Sequence, residues 1–268
     1  MLDKLLSIDP NLILIGLVVI FFSLEMAMKG PSNFKGKFSH LIHSFLFQVI
    51  GILMGSLIGL MIVGTFDFIS LHNIGLFNWI SIPYGLKIIL GLFLIDFADY
   101  WFHRFDHQIP LLWRFHRVHH SDTEMDASTA IRTFPSELIY FLLGELAISV
   151  IFGLDIMSMN IFLLILLPVL FVQHTSLTYP NWVDKAFGWL LMMPNYHKVH
   201  HEQDQRYTDS NYGTLFIIWD KLFGTYKTKP VNQIKYGLKE FEGENKQTFF
   251  YLLKSPFIRV DRIKEGLR

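Results

Sequence analysis

The chain has no cysteine among its 268 residues. Disulfides, iron–sulfur clusters, cysteine-ligated zinc and thiol nucleophiles are therefore excluded. Charge is also scarce, because only 17% of the residues are charged and 23 Lys and Arg balance 23 Asp and Glu. With no basic block and no aromatic RNA-binding signature, we expect no nucleic-acid partner. No linker, repeat or low-complexity segment divides the sequence, which indicates one integral unit.

Apolar residues make up 51% of the chain, and 26 of its residues are phenylalanine. Long apolar stretches approach or reach the roughly 20 residues that cross about 30 Å of hydrocarbon. The first stretch has few positive charges before it and no small-residue cleavage site, so we expect a retained helix rather than a signal peptide. The last two stretches are broken by Gly153, Leu154 and Asp155 and predict a helical hairpin. We therefore predict an all-α integral membrane protein with four or five membrane helices, at 11–28, 41–64, 84–102, 137–153 and 156–174.

Eight of the twelve histidines lie in three tight clusters. Isolated pairs four residues apart are often coincidental, but repeated i, i+3 and i, i+4 spacing places imidazoles on one helix face, as a metal requires. The pattern HxxHH occurs twice, and these ligands exceed what one ion can take, so we predict a dinuclear site. A ninth histidine, His174, ends the last apolar stretch and is either a further ligand or an interfacial polar group. The clusters are His103 and His107; His116, His119 and His120; and His197, His200 and His201.

The placement of basic residues predicts the orientation. Lys29, Lys35 and Lys37 lie between the first two apolar stretches, whereas residues 65–86 contain neither Lys nor Arg. Since loops rich in Lys and Arg stay in the cytoplasm, the first loop should be cytoplasmic. Counting the spans forward then places all three clusters on the cytoplasmic face, as a histidine-rich di-metal cap.

Three motifs carry a resemblance to a known family: DYWFHRFDHQIPLLWRFHRVHHSD, QHTSL, and PNYHKVHHEQDQRYTDSNYGTLFIIWDKLFGTY. Over roughly residues 90–227 the chain strongly resembles the fatty acid hydroxylase and sterol desaturase superfamily of membrane di-iron oxygenases. The resemblance implies two iron ions, O2 as co-substrate, and hydroxylation or desaturation of a C–H bond in a fatty acyl chain or a sterol or isoprenoid. The matching ligand positions are His103, His107, His116, His119, His120, His174, His197, His200 and His201.

The chemistry implied by the resemblance requires partners, and other residues of the chain could support the histidines. The lipid substrate should enter from the bilayer, and electrons should come from a separate cytochrome, ferredoxin or reductase, because no haem or flavin signature is present. Zinc can replace iron in purified protein, since imidazole accepts both metals. Many bacterial relatives read R-F-H-P-x-E where this chain reads RTFPSE, so Phe134 replaces a histidine. Hydrogen bonds to ligand histidines could come from Asp99, Asp209 and Asn211, although turn formation equally explains Asp209 and Asn211.

We expect three regions: N-terminal membrane helices at 1–83, a catalytic domain at 84–230, and a cytoplasmic C-terminal tail at 231–268 that forms a solvated cap. Tyr100, Trp101 and Trp113 are interpreted as interfacial belt aromatics, and Asp96, costly in lipid, as a functional candidate. The rival hypotheses are a non-enzymatic histidine-rich metal-binding or transport protein and a scaffold without catalysis. Transporters usually bind at mid-membrane on broken helices, whereas these clusters lie at and beyond the end of a span.

Overall fold

The computed structural model describes residues 10–29 and 34–259, without the side chains of 56–58. Within these ranges the regular elements are helical, apart from two isolated β-bridges. A 3-10 helix, Ala127–Ile131, precedes α6, and further short 3-10 turns lie near the C-terminus. The α-helices are α1 Pro10–Lys29, α2 Phe34–Leu71, α3 Leu76–Trp79, α4 Tyr84–Gln108, α5 Pro110–His120, α6 Pro135–Phe152, α7 Ile156–His174, α8 Asn181–Phe187, α9 Pro194–His200, α10 Gln205–Thr208, α11 Ile218–Leu222 and α12 Phe249–Lys254.

The predicted all-α membrane fold with four or five membrane helices is confirmed. Five segments are long and apolar enough to cross a membrane: Pro10–Met28, Phe34–Gly55, Gly59–Trp79, Pro135–Phe152 and Ile156–His174. The second segment and most of the third belong to α2, a single helix of 38 residues. At 1.5 Å per residue α2 is about 57 Å long. Part of α2 therefore extends beyond the hydrocarbon layer.

The expected span at 84–102 is helical but is not among these five segments. It lies inside α4, where Lys87, Asp96 and Asp99 make the helix too polar for a span by composition alone. Asp96 and Asp99 are both buried inside the protein. The carboxylates of α4 thus face other helices, which is how a polar helix can sit among apolar ones.

The helical hairpin is formed by α6 and α7, and its turn contains Gly153 in the left-handed region at φ 70°. This turn packs against the segment that follows α2, because a Cβ added to Gly75 would lie 2.0 Å from the nitrogen of Gly153. Both turns therefore lie at one end of the bundle. Helices α4 and α7 start from that end and run side by side to the opposite end.

Glu25 ties α1 to the end of the bundle where α7 finishes. Its carboxylate is buried and accepts hydrogen bonds from the backbone N–H of Ser176, at 2.7 Å, and from the hydroxyl of Thr175, at 2.9 Å. The N–H of Ala127 also donates to it, at 3.2 Å. Burying a carboxylate is tolerated when donors surround it in this way. The N-terminal helix is thus anchored to the residue that follows His174.

The C-terminal segment differs from the solvated cap expected at 231–268. In its described part, up to residue 259, Leu238, Phe241, Phe249 and Leu252 are buried in one hydrophobic cluster. They pack with residues from the polar end of α2, from α5 and from the start of α6, namely Phe47, Trp113, Val118 and Phe134. The segment therefore closes the end of the bundle from which α5 projects.

The interfacial-belt interpretation is wrong for two of its three aromatics. Tyr100 is fully buried and Trp113 is 5% exposed. The hydroxyl of Tyr100 lies 3.0 Å from Oγ1 of Thr225, and its ring stacks on Phe223. Trp101, which is half-buried, contacts the same phenylalanine edge-on. Tyr100 and Trp113 are core residues that support the helices beside the histidine clusters.

Candidate metal centre

All nine predicted histidines are buried and converge at one end of the bundle. They form two groups, and within each group the candidate ligand nitrogens lie within 4.8 Å of one another. The first group is His103, His107, His116, His120 and His200; the second group is His119, His174, His197 and His201.

The two HxxHH motifs divide their histidines between the groups in opposite ways. In α5 the first and last histidines of the motif enter the first group, and the middle one, His119, enters the second. In the motif on α9 the middle histidine, His200, enters the first group, and the outer two enter the second. Residues i and i+4 share a helix face, while i+3 and i+4 diverge by about 100°. Each motif can therefore supply both groups at once.

In the first group the Nε2 atoms point toward a common centre. Nε2 of His116 lies 3.1 Å from Nε2 of His103 and 3.1 Å from Nε2 of His120. A metal–nitrogen bond of about 2.1 Å separates two ligand nitrogens by about 3.0 Å at a right angle and by about 3.4 Å at a tetrahedral angle. The observed spacing suits two nitrogens bound to one ion.

The second group has the same spacing. Nε2 of His174 lies 2.9 Å from Nε2 of His197 and 3.1 Å from Nε2 of His119, and His197 is 3.2 Å from His201 between the same atoms. The second group adjoins the first, because the rings of His120 and His201 stack with centroids 4.5 Å apart. The arrangement can hold two ions next to each other.

The electrostatics of the site favour neutral imidazoles. Burial lowers the pKa of the histidines that lie outside the membrane spans, and the neighbouring imidazoles lower it further. Neutral imidazole is the form that binds a metal. Nε2 of His200 is buried and has no hydrogen-bond partner in the described part of the chain, as expected of a ligand atom without its ion. The pKa is lowered at His116, His119, His120, His197, His200 and His201.

Backbone carbonyls hold the far side of three of the histidine rings. Nδ1 of His103 lies 2.8 Å from the carbonyl oxygen of Tyr212, and Nδ1 of His200 lies 2.7 Å from that of Ser210. Nδ1 of His174 lies 2.7 Å from the carbonyl oxygen of Leu170. A carbonyl can only accept, so each of these Nδ1 atoms carries the proton and each Nε2 is left to bind metal.

The sequence suggests three residues as hydrogen-bond partners of the histidines. Among the residues that the structure describes, Asp209 makes such a contact, whereas Asn211 and Asp99 do not. Oδ1 of Asp209 lies 3.2 Å from Nδ1 of His107, the contact that a supporting carboxylate would make. Asn211 instead donates from its amide to the carbonyls of Tyr196 and Lys227, at 2.9 and 2.8 Å. In the described part of the chain, no hydrogen bond joins Asp99 to a histidine.

Asn211 nevertheless affects the site through the backbone. It adopts φ 53°, in the left-handed region, and lies between the two residues whose carbonyls hold His103 and His200. The carboxylate of Asp220 accepts from the N–H groups of Tyr212 and Gly213, both at 2.8 Å, and secures the same turn. The turn at 210–213 is therefore a rigid backbone support for the first group.

Sequence reasoning missed Glu137 and Asp106. Oε2 of Glu137 lies 2.7 Å from Nδ1 of His116, and Oδ2 of Asp106 lies 3.9 Å from the same atom. Glu137 is the final residue of the RTFPSE stretch, so the family motif itself contained the signal. Phe134, which replaces the family histidine, packs in the hydrophobic cluster, and its N–H donates to Oε1 of Glu137.

Asp96, a functional candidate in the sequence, is structural. It is fully buried and accepts from the N–H groups of Leu215 and Phe216, at 2.7 and 3.1 Å. It also accepts from the indole N–H of Trp219, at 2.8 Å. With three donors satisfied, this carboxylate fastens the chain after the 210–213 turn to α4.

Comparisons with known proteins identify relatives of this chain. An alkylglycerol monooxygenase from Danio rerio is 34% identical over 60% of this chain, and its human counterpart is 30% identical over 62%. The chain spans about a third of the length of these two relatives. An ornithine lipid hydroxylase from Rhizobium tropici is 30% identical over 67% of the chain and 53% of its own length. No solved structure matches. The fatty acid hydroxylase family model matches residues 88–225, and the chain belongs to this family.

Proposed function

We propose that the protein is a membrane di-iron oxygenase that hydroxylates a C–H bond of a lipid. One observation carries the proposal: nine buried histidines converge in two adjoining groups at the end of the bundle where α7, a candidate membrane span, finishes. Such a donor set binds redox-active metals, and a redox pair is what attack on an unactivated C–H bond needs.

The residues present fit two iron ions. The first group would hold one ion and the second group the other, and the bound pair would supply O2 activation and one-electron chemistry. The protein's own contribution is to keep the imidazoles neutral, to fix their tautomers through the carbonyls and carboxylates behind them, and to exclude water by burial. Electrons are proposed to come from a separate protein, since the sequence carries no signature of an internal redox cofactor.

An apolar wall beside the first group supports the proposal that the substrate is a lipid. The ring of Phe141 lies 6.5 Å from that of His103, and Phe102 packs at 4.4 Å from Tyr140. Gly144 makes room for Phe102, because a Cβ there would lie 2.6 Å from its ring. These residues come from α4 and α6, which also border the membrane. An acyl or isoprenoid chain could thus reach the metals from the bilayer, on the face proposed to be cytoplasmic.

Metal transport is the weaker alternative. All nine histidines lie at or beyond the ends of α4 and α7. Buried hydrogen bonds hold the helices that carry them, as between His103 and the carbonyl of Tyr212 and between His116 and Glu137. A transport site would lie at mid-membrane on interrupted helices. The ligands also lie within 84–230, which supports the proposal that this region is the catalytic domain.

The test is product formation by iron-loaded protein in nanodiscs of a mixed bacterial lipid extract, with a chemical reductant and isotopically labelled O2. We expect one labelled oxygen atom in a lipid hydroxyl group, and no product from His119→Ala or His200→Ala protein that still inserts in the membrane. Unsaturated lipid without label would indicate desaturation instead. If protein with full iron content forms neither product, the proposal is contradicted.

A further inference from the structure

A cavity of about 960 Å³ opens beside the first group. Its wall includes His107, together with Arg104 from α4 and Arg114 and Arg117 from α5. The carboxylate in the wall, Asp209, already contacts His107 and accepts from Gln205. The cavity therefore carries an excess of positive charge next to a metal-binding histidine.

Two arginines of the wall, Arg104 and Arg114, are the candidates for binding an anion. Within the described part of the chain, Arg104 and Arg114 have no ion pair within 4 Å. Arg104 donates to the hydroxyl of Tyr100, at 3.1 Å, and lies over the ring of Trp101. Its Nε is buried with no hydrogen-bond partner among the described residues. Like charges gathered in a concave opening repel one another and create a potential that attracts an anion.

Part of the lining of the same cavity is apolar. Pro110 and Leu111, at the turn between α4 and α5, line it, and Leu111 is 61% exposed. A ligand that satisfies both parts has an anionic group and an apolar portion. The volume falls in the range of about 300–1,000 Å³ that small-molecule sites occupy. A docked protein would instead cover a broad surface of roughly 800 Å² on each partner.

We propose that this cavity binds the phosphate or carboxylate of an amphiphile, gripped by Arg104 and Arg114, as the headgroup site of the lipid substrate. Planar guanidinium groups match both oxyanions through paired hydrogen bonds. The identification of the ligand as substrate rests on the proposed function, whereas the anion site does not. Headgroup binding here would place the rest of the lipid beside the first group.

The test uses full-length protein in non-ionic detergent and three variants: Arg104→Gln, Arg114→Gln and the control Lys185→Gln. Lys185 is an exposed cation on α8, outside the cavity lining. Native mass spectrometry would measure binding of phosphatidic acid against phosphatidylcholine, and phosphorus NMR would measure binding of inorganic phosphate. Losing one charge-assisted contact should weaken phosphatidic acid binding about tenfold in each arginine variant. The control should bind as the unmodified protein does.

Each outcome is decisive. Equal losses in the control, or no loss in either arginine variant, would overturn the site. Inorganic phosphate that binds as tightly as phosphatidic acid would overturn the headgroup assignment and leave a free-anion site. If the arginine variants bind lipid normally but their bound metal is reduced more slowly by an acidic redox protein, the cavity is a protein-docking surface. That result would overturn the proposal. If Arg104→Gln does not fold, Arg114→Gln still tests the site. Metal content, measured in parallel, should stay unchanged, which separates this test from that of the proposed function.

Discussion

Glu137 accepts a 2.7 Å hydrogen bond from Nδ1 of His116 and so joins the first turn of α6 to the ligand helix α5. Its other oxygen accepts from the N–H of Phe134, at 3.1 Å. The pair fixes the tautomer of His116, whose Nε2 lies 3.1 Å from two other nitrogens of the first group. A carboxylate 21 residues after His116 thus sets the direction of a central histidine of the first group.

Glu137→Ala should weaken metal binding by the first group by about 10- to 100-fold, the usual effect of losing the partner behind a ligand histidine. Competition with a chelator of known affinity would measure it. Glu244→Ala, which removes an exposed carboxylate, is the control and should bind metal normally. Normal affinity in Glu137→Ala would mean that His116 needs no support from α6.

Asn211→Ala should destabilise the protein by about 2 kcal/mol, because it strains a left-handed backbone position and removes the amide hydrogen bonds to the carbonyls of Tyr196 and Lys227. It should also reduce metal bound to the first group, since the carbonyls on both sides of Asn211 hold His103 and His200. Thermal unfolding in detergent and metal content would be measured together.

The chain offers a matched control for this substitution. Asn73 has a similar backbone angle, φ 50°, but lies at the opposite end of the bundle. Asn73→Ala should incur the backbone strain without any loss of metal. Asn211→Gly should recover part of the stability, because glycine accepts the angle. Equal metal loss in Asn73→Ala and Asn211→Ala would show that general destabilisation explains both.

Metal-free protein should lose stability as the pH falls below about 6.5, the usual pKa of histidine. The buried imidazoles have lowered pKa values in the folded state, so below pH 6.5 the unfolded chain binds more protons. Stability then rises with pH through this range and falls on acidification. Chemical unfolding of metal-free protein from pH 5 to 8 would show the slope. A flat profile would mean that these histidines take up protons as readily in the folded protein as in the unfolded chain.

The end of the bundle that carries the histidines should face the cytoplasm, and the end with Gly75 and Gly153 should face the opposite side. The absence of native cysteine permits single-cysteine labelling with an impermeant reagent. Thr123 and Thr228 are exposed positions on the histidine side, and Ser81 is exposed near the other end. Thr123→Cys and Thr228→Cys should label only from the cytoplasm, and Ser81→Cys only from outside. Labelling of all three from one side would contradict a spanning arrangement.

The features that the sequence predicted are those that depend on a local pattern of residues. The length of the apolar stretches predicted the helical hairpin, and the spacing of the histidines predicted the clusters. The sequence could not predict contacts between distant segments, such as Glu25 with Thr175, or which histidine Glu137 would contact. Hydropathy also cannot show that Asp96, within the expected span at 84–102, accepts three hydrogen bonds from residues 119 to 123 positions later in the chain. The packing of Phe249 against Phe47 overturned the solvated cap for the same reason.

The division of the two HxxHH motifs between two groups is tested most directly by metal stoichiometry. Protein loaded with iron without oxygen should contain two ions per chain by elemental analysis. Replacing His116 and His120 together with alanine removes two ligands from the first group and none from the second, so this variant should retain one ion. Replacing His197 and His201 together should also leave one ion, now in the first group. Two ions in either double variant, or a single ion in the unmodified protein, would contradict a pair of metals held by interleaved histidines.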